Sequence, residues 1–257
     1  MSEADRFDLV VLSPHLDDGA LSCGGRLAAT TGRGGRALLV TVFAGDEPPE
    51  PANPLATRLR EVWGLPAGGV VEARRAEDRE AARRLGAAVA HWPFAEALYR
   101  MDASGTRPLY DSVEALYAPP AAADLEHIDT IAARIAALPP AALLLAPLGV
   151  GGHVDHRLVR SAAERSGREV AFYEEFPYSE WKWFAVRRAL ERPRDWESES
   201  LPLPATLAEV KRDAILAYRS QVGALFRTEG RLGKQLRRHA RRAGGERIWR
   251  RRPAASR

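Results

Sequence analysis

A single cysteine, Cys23, stands in 257 residues. An internal disulfide and any Cys-rich zinc module are thereby excluded, and a bound metal has to be held by histidine and carboxylate. Long apolar runs are missing as well. The charged start, residues 1–8, leads into only about six consecutive apolar residues, too few for the core of a signal peptide or for a membrane span, so a cytoplasmic protein is expected. There is no internal repeat, and no G-x-G-x-x-G follows the first apolar run, which weakens a dinucleotide-binding reading. Basic-region and zinc-finger patterns are also absent, so nucleic acid is not the expected partner even though residues 227–257 hold 12 Lys/Arg against Glu229 and Glu246. Those residues are expected to form a solvated basic C-terminal extension. The remaining 26 Lys/Arg face 32 Asp/Glu and leave the body mildly acidic.

What is present is an alternation. Short apolar runs at 7–12, 36–43, 87–93, 141–148 and 170–173 read as strands, and helical patterns follow at 20–31, 73–85, 122–138, 156–166 and 207–226. Strands alternating with helices predict an α/β protein, a Rossmann-like and mostly parallel sheet with helices on both faces, in one domain over residues 1–226. Two irregular stretches, 45–69 with Trp63 and 94–121 with Tyr99, Tyr110 and Tyr117, interrupt the pattern. Loops that long in a compact domain are usually functional or disordered, and these are expected to act as lids.

Two polar clusters stand out because each directly follows an apolar strand pattern. The first is His15-Leu16-Asp17-Asp18, ahead of Gly24-Gly25; the second is His153-Val154-Asp155-His156. In doubly wound sheets ligands sit at the carboxyl ends of strands, where both clusters fall. His15, Asp18 and His156 supply the three nitrogen and oxygen ligands of a catalytic zinc site. Asp17, beside a ligand but not needed as one, is then free to accept a proton from a water, and a protonated His153 on the opposite side is placed to stabilise an oxyanion and protonate a leaving amine. Asp155 is expected to hold the His153 ring. The plainer reading of the Asp pair is a helix N-cap. A second alternative is a nucleotide-sugar or dinucleotide-binding domain without hydrolase activity, using the helix N-terminus for phosphate. Two clusters of complementary ligand type favour the metal.

Pro14-His15-Leu16-Asp17-Asp18 with Gly24-Gly25, and Gly152-His153-Val154-Asp155-His156, together resemble the two signature motifs of the LmbE-like, or PIG-L, zinc-dependent N-deacetylases. Arg74, Glu77, Ala81 and Leu85-Gly86 match that family's R-x-x-E-x-x-x-A-x-x-x-L-G helix, and Lys211 with Ser220-Gln221 is similar to its later features. The resemblance implies the LmbE-like fold, zinc on His15, Asp18 and His156 with Fe2+ as an alternative occupant, Asp17 as general base, and His153 with Asp155 as the charge-stabilising pair. It places Arg74 near a sugar pocket, against a surface ion pair with Asp78 as the other reading. The implied substrate is an N-acetylated amino sugar or glycoconjugate; a homo-oligomer is compatible with it. Leu16 and Gly19 depart from the family's commonest Pro and Glu, which bears on substrate subgroup more than on chemistry.

Overall fold

A computed structural model describes residues 6–48, 53–181 and 183–252. The first five residues, part of the Pro-rich stretch (49–52), residue 182 and the last five of the basic tail lie outside the described residues. The first half of the chain runs β1 (Phe7–Ser13), α1 (Asp18–Thr31), β2 (Ala37–Thr41), α2 (Pro54–Val62), α3 (Val70–Arg84), β3 (Ala88–His91) and a short α4 (Val113–Leu116). The second half runs α5 (Glu126–Ala136), β4 (Ala141–Pro147), α6 (Val154–Arg165), β5 (Ala171–Tyr173), α7 (Tyr178–Trp181), α8 (Trp183–Ala189), β6 (Trp196–Leu201), α9 (Ala205–Ile215), α10 (Arg219–Phe226), α11 (Glu229–Ala243) and β7 (Glu246–Arg251).

The strands form one sheet in the order β3-β2-β1-β4-β5-β7-β6. The first five are parallel, and β7 and β6 close the far edge as an antiparallel pair. It is thus a mostly parallel α/β fold of the expected class. Alternate residues of β1 serve opposite faces, as the two-residue period of a strand requires. Val10 and Leu12 pack with Ile131 and Ile135 of α5 and Leu158 and Val159 of α6. Leu9 and Val11 pack with Ala20, Cys23 and Leu27 of α1, Ala81 and Ala82 of α3 and Ala214 of α9. Burying each such aliphatic side chain stabilises the fold by about 1.5–3 kcal/mol relative to leaving it in water. Strand order turns around between β1 and β4, because β2 and β3 lie to one side and β5 to the other. That opens a crevice above their carboxyl ends.

Three elements differ from the sequence-based expectation. The Pro-rich stretch contains α2, started by Asn53 as N-cap and Pro54 at the first helical position; Asn53 Oδ1 accepts from Leu55 N at 3.0 Å while its amide donates to the Leu98 and Tyr110 carbonyls. The expected 207–226 helix is two helices, parted where Tyr218 donates its hydroxyl to Asp78 (2.6 Å) and Glu77 accepts the Ser220 backbone N–H (2.9 Å). Finally, residues 229–251 are not a solvated extension. They form α11 and β7, whose Arg247, Arg250 and Arg251 meet Glu174, Glu199 and Glu164, so carboxylates distant in sequence answer much of the basic run.

Docking α11 buries His239 against the Phe176 ring, 5.3 Å between centroids. Burial, aided by the Lys211, Arg242 and Arg247 cations, pulls its pKa down to about 3. Below the ordinary value near 6.5 the unfolded chain therefore takes up a proton that the folded chain refuses, and stability falls as pH drops from 6.5 toward 3. By pH 5 this one group costs about 2 kcal/mol. Urea midpoints at pH 7 and pH 5 should show that loss in the wild type and not in His239→Phe; equal pH slopes for the two proteins would refute the assignment.

Candidate metal centre

β1, β4 and β5 are neighbours in the sheet, and the segment that follows each of them carries residues of the centre. After Ser13 the chain turns into α1. Ser13 Oγ accepts the Gly19 backbone N–H (2.8 Å), and the His15 backbone N–H donates to Asp18 Oδ2 (3.0 Å). Asp17 occupies the N-cap position yet makes no side-chain cap hydrogen bond, so capping does not account for the Asp pair. A Cβ on Gly19 would lie 2.4 Å from the Leu39 side chain, so a larger residue there requires that side chain to move. Leu16 packs with Ala44 and Val71 instead of facing the crevice.

His15, Asp18 and His156 converge. Asp18 Oδ2 lies 3.1 Å from His15 Nδ1 and 3.1 Å from His156 Nε2. Ligand atoms of a tetrahedral zinc with bonds of about 2.0–2.1 Å are about 3.3 Å apart, so this spacing fits one ion. His156 Nε2 is fully buried and has no hydrogen-bond partner, an orphaned lone pair aimed at the same point. His153 completes a three-histidine group whose ligand atoms lie within 4.8 Å of one another. Its Nδ1, however, accepts the Asp155 backbone N–H at 3.2 Å, which leaves only Nε2 to face the crevice.

Electrostatics favour positive charge at the centre. Burial works against ionised Asp18, yet His156 and His15 hold it well below the usual carboxylate range. Burial likewise opposes protonation of His156, but Asp18 and Glu175 lift it to about 9, and Asp155 and Asp18 raise His15 well above its ordinary value. Imidazoles this basic bind a proton or a metal cation readily. Burial and the neighbouring His15 push His153 the other way, well below 6.5. Asp17, driven by burial and then by the adjacent Asp18 charge, rises to about 7.

The rings are held from behind. Glu175, just past β5, faces His156 Nδ1 at 3.2 Å and accepts the Gly149 and Val150 backbone N–H groups. Asp155 Oδ2 meets His15 Nε2 at 2.9 Å but stands 4.0 Å from His153 Nδ1. The expectation that Asp155 orients His153 is thus corrected: it orients His15. Because His153 caps α6 with its own Nδ1, the carboxylate is left to turn toward the neighbouring strand end.

Arg74 is 3 % exposed, paired with Glu96 Oε2 at 2.8 Å and lying 4.6 Å over the Trp63 ring. Asp78, the partner of the alternative surface reading, instead receives hydrogen bonds from Thr41 and Tyr218 and faces His91. Of the loop tyrosines, Tyr117 sets its ring edge-on to His153 (5.6 Å) and Tyr110 is buried beneath. Tyr178, just beyond β5, lies 5.7 Å from the His156 ring. Glu96 was not assigned from sequence, and residues 173–178, which include Glu175 and Tyr178, were expected to line the same pocket because they follow an apolar run, with no role for Glu175.

The profile of the PIG-L family, described as GlcNAc-PI de-N-acetylase, matches residues 10–166, which include His15, Asp17, Asp18, His153, Asp155 and His156. The chain belongs to the PIG-L family. Over nearly its whole length, this PIG-L chain is 34% identical to 2'-N-acetylparomamine deacetylase of Streptomyces fradiae, covering 93% of the chain and 80% of that protein. It is 29% identical to the enzyme of the same name from Niallia circulans, over 88% and 84%. Among solved structures, the zinc-inhibited form of teicoplanin deacetylase Orf2 aligns with a TM-score of 0.83 at 29% identity, covering 98% of this chain and all of that one. No PIG-L helix among the described residues is long and apolar enough to cross a membrane.

Proposed function

We propose that the protein is a cytoplasmic, zinc-dependent N-deacetylase that removes an acetyl or other small acyl group from the nitrogen of an amino-sugar-containing small molecule. Deacetylation is the activity named for the relatives and the family, and the relatives' names point to glycosylated natural products. The observation that carries the reading for this chain is the Asp18 carboxylate set 3.1 Å from an inward nitrogen of each of two histidines, with an unligated carboxylate, Asp17, beside it. His15, Asp18 and His156 would hold the ion. Zinc bound there supplies a Lewis acid that lowers the pKa of a water toward about 7 and polarises the acyl carbonyl.

The chain's own groups do the rest. Asp17, raised to about 7, is poised both to take the water's proton and to give it up again near neutrality. As the new C–O bond forms, the carbonyl electron pair moves onto its oxygen. His153 accepts the Asp155 N–H at Nδ1, so its proton sits on Nε2, from which it can donate a hydrogen bond to that oxyanion. The expected protonated His153 gives way to a neutral one, because burial and His15 hold its pKa well below 6.5. Asp17 returns the water's proton to the nitrogen as the C–N bond breaks, and the amine leaves together with acetic acid, whose proton passes to the amine to give acetate and an ammonium ion. Arg74, held by Glu96 and over the Trp63 ring, is assigned to the sugar side of the site, where the cation and aromatic pair suits a hydroxyl-rich ligand.

The phosphate-binding alternative loses its basis here, because the N-terminus of α1 is occupied by the buried carboxylates of Asp17 and Asp18 and by Ser13, which repel or displace an anion. Metal analysis of protein purified without chelators, combined with acetate release across a panel of N-acetylated glycosides, tests the proposal. We expect about one zinc per chain, loss of nearly all activity on chelation, and recovery with zinc. Iron in place of zinc would change the cofactor, and a metal-free active protein would refute the mechanism.

A further inference from the structure

Asp155 joins more than His15. Its Oδ2 accepts the Ala97 backbone N–H (3.1 Å) besides facing His15 Nε2, and its Oδ1 stands 2.6 Å from a terminal nitrogen of Arg100. The same Arg100 nitrogen lies 2.8 Å from Asp124 Oδ2, which in turn accepts the Tyr110 hydroxyl at 2.6 Å. Tyr110 then accepts the Ala121 backbone N–H at 2.9 Å, closing the segment that holds Tyr117 against His153. The guanidinium is 5 % exposed and sits over the rings of Phe43 and Tyr110 at 5.1 and 5.4 Å. One cation therefore answers two carboxylates that are both out of reach of water.

We propose that Arg100 is a positioning residue for the centre, fixing the Asp155 carboxylate on the outer nitrogen of His15 and tying that pair to the 94–121 segment. The proposal rests on the reading of His15, Asp18 and His156 as a zinc site. The physical argument is charge balance. Without Arg100, Asp155 and Asp124 would be two buried negative charges with no cation between them. Asp155 would then turn away from its place and become a poorer acceptor for His15 Nε2–H. A ligand imidazole that loses its carboxylate partner loses both orientation and basicity, which typically weakens metal binding about 10- to 100-fold. A lysine ammonium keeps the charge but not the planar group that lies over Phe43 and Tyr110 while its other terminal nitrogen donates to the Ala95 carbonyl.

Zinc affinity, measured on the full-length protein by competition with a chromophoric chelator, is the deciding readout, because a merely structural role would lower the urea midpoint without moving it. Arg100→Met is expected to bind zinc about 10- to 100-fold more weakly than wild type, with Arg100→Lys between the two. Trp196→Phe, which disturbs a buried core position at the far edge of the sheet, should lose stability and keep wild-type affinity. Should Arg100→Met fail to fold, Arg100→Lys decides. Zinc affinity within twofold of wild type in whichever Arg100 variant is decisive, or an equal loss in Trp196→Phe, overturns the proposal. A wild-type protein that binds no zinc overturns the reading of the centre itself, so the two failures are distinguishable.

Discussion

Asp17→Asn is expected to lower kcat for acetate release by about 100- to 10,000-fold, the usual contribution of a positioned general base, while zinc content stays at the wild-type level. The separation follows from the turn after β1. Asp17 and Asp18 are adjacent and both buried, but only Asp18 lies between the two histidines, and the Asp17 side chain makes no cap hydrogen bond that an amide would disturb. Asparagine keeps the volume and removes the proton acceptor. Asp18→Asn should behave in the opposite order, losing zinc first and activity as a consequence. Steady-state acetate release paired with metal analysis reads both variants. An Asp17→Asn protein within threefold of wild-type kcat would remove Asp17 from the chemistry.

The parts of this centre that were legible in the sequence are those whose geometry is local. His15, Asp17 and Asp18 share one turn, and His153, Asp155 and His156 share another; each follows a run of residues apolar enough to read as a buried strand, so their delivery to strand ends needs no knowledge of the sheet. The convergence of the two turns depends on β1 lying beside β4, which only the strand order reveals. Glu175 could be placed after a strand but given no role for that reason, since the role requires β5 next to β4. The error over Asp155 was of the same kind. Sequence proximity to His153 suggested a partnership, while the residue's actual partners, His15 and Arg100, lie 140 and 55 positions away. A lone arginine among irregular residues carries no pattern at all. The basic tail misled because a run of like charge reads as solvated when the answering carboxylates, Glu164, Glu174, Glu180 and Glu199, are scattered through the preceding third of the chain.

Glu246→Ala tests how deeply that tail is built in, and it should destabilise the protein by about 3–5 kcal/mol. Glu246 opens β7 and is 2 % exposed. Its Oε1 accepts from Lys211 Nζ and from Gly25 N, both at 2.7 Å, and its Oε2 accepts from Arg26 N at 2.8 Å. Truncation thus leaves an ammonium that is only 1 % exposed without a counter-charge and two backbone donors without acceptors. Glutamine at the same position keeps the acceptor oxygen but not the charge, so Glu246→Gln should fall between alanine and wild type. Denaturant midpoints of the three proteins measure the series, and a loss below 1 kcal/mol for alanine would mean that Lys211 finds another partner. The same contacts make removal of residues 227–257 a different experiment from trimming a loose end. It strips the antiparallel neighbour from β5 and uncovers α1 and α9, which carry Asp18 and Lys211, so the truncated chain is expected to lose zinc and activity together by unfolding rather than to keep deacetylation while shedding an accessory.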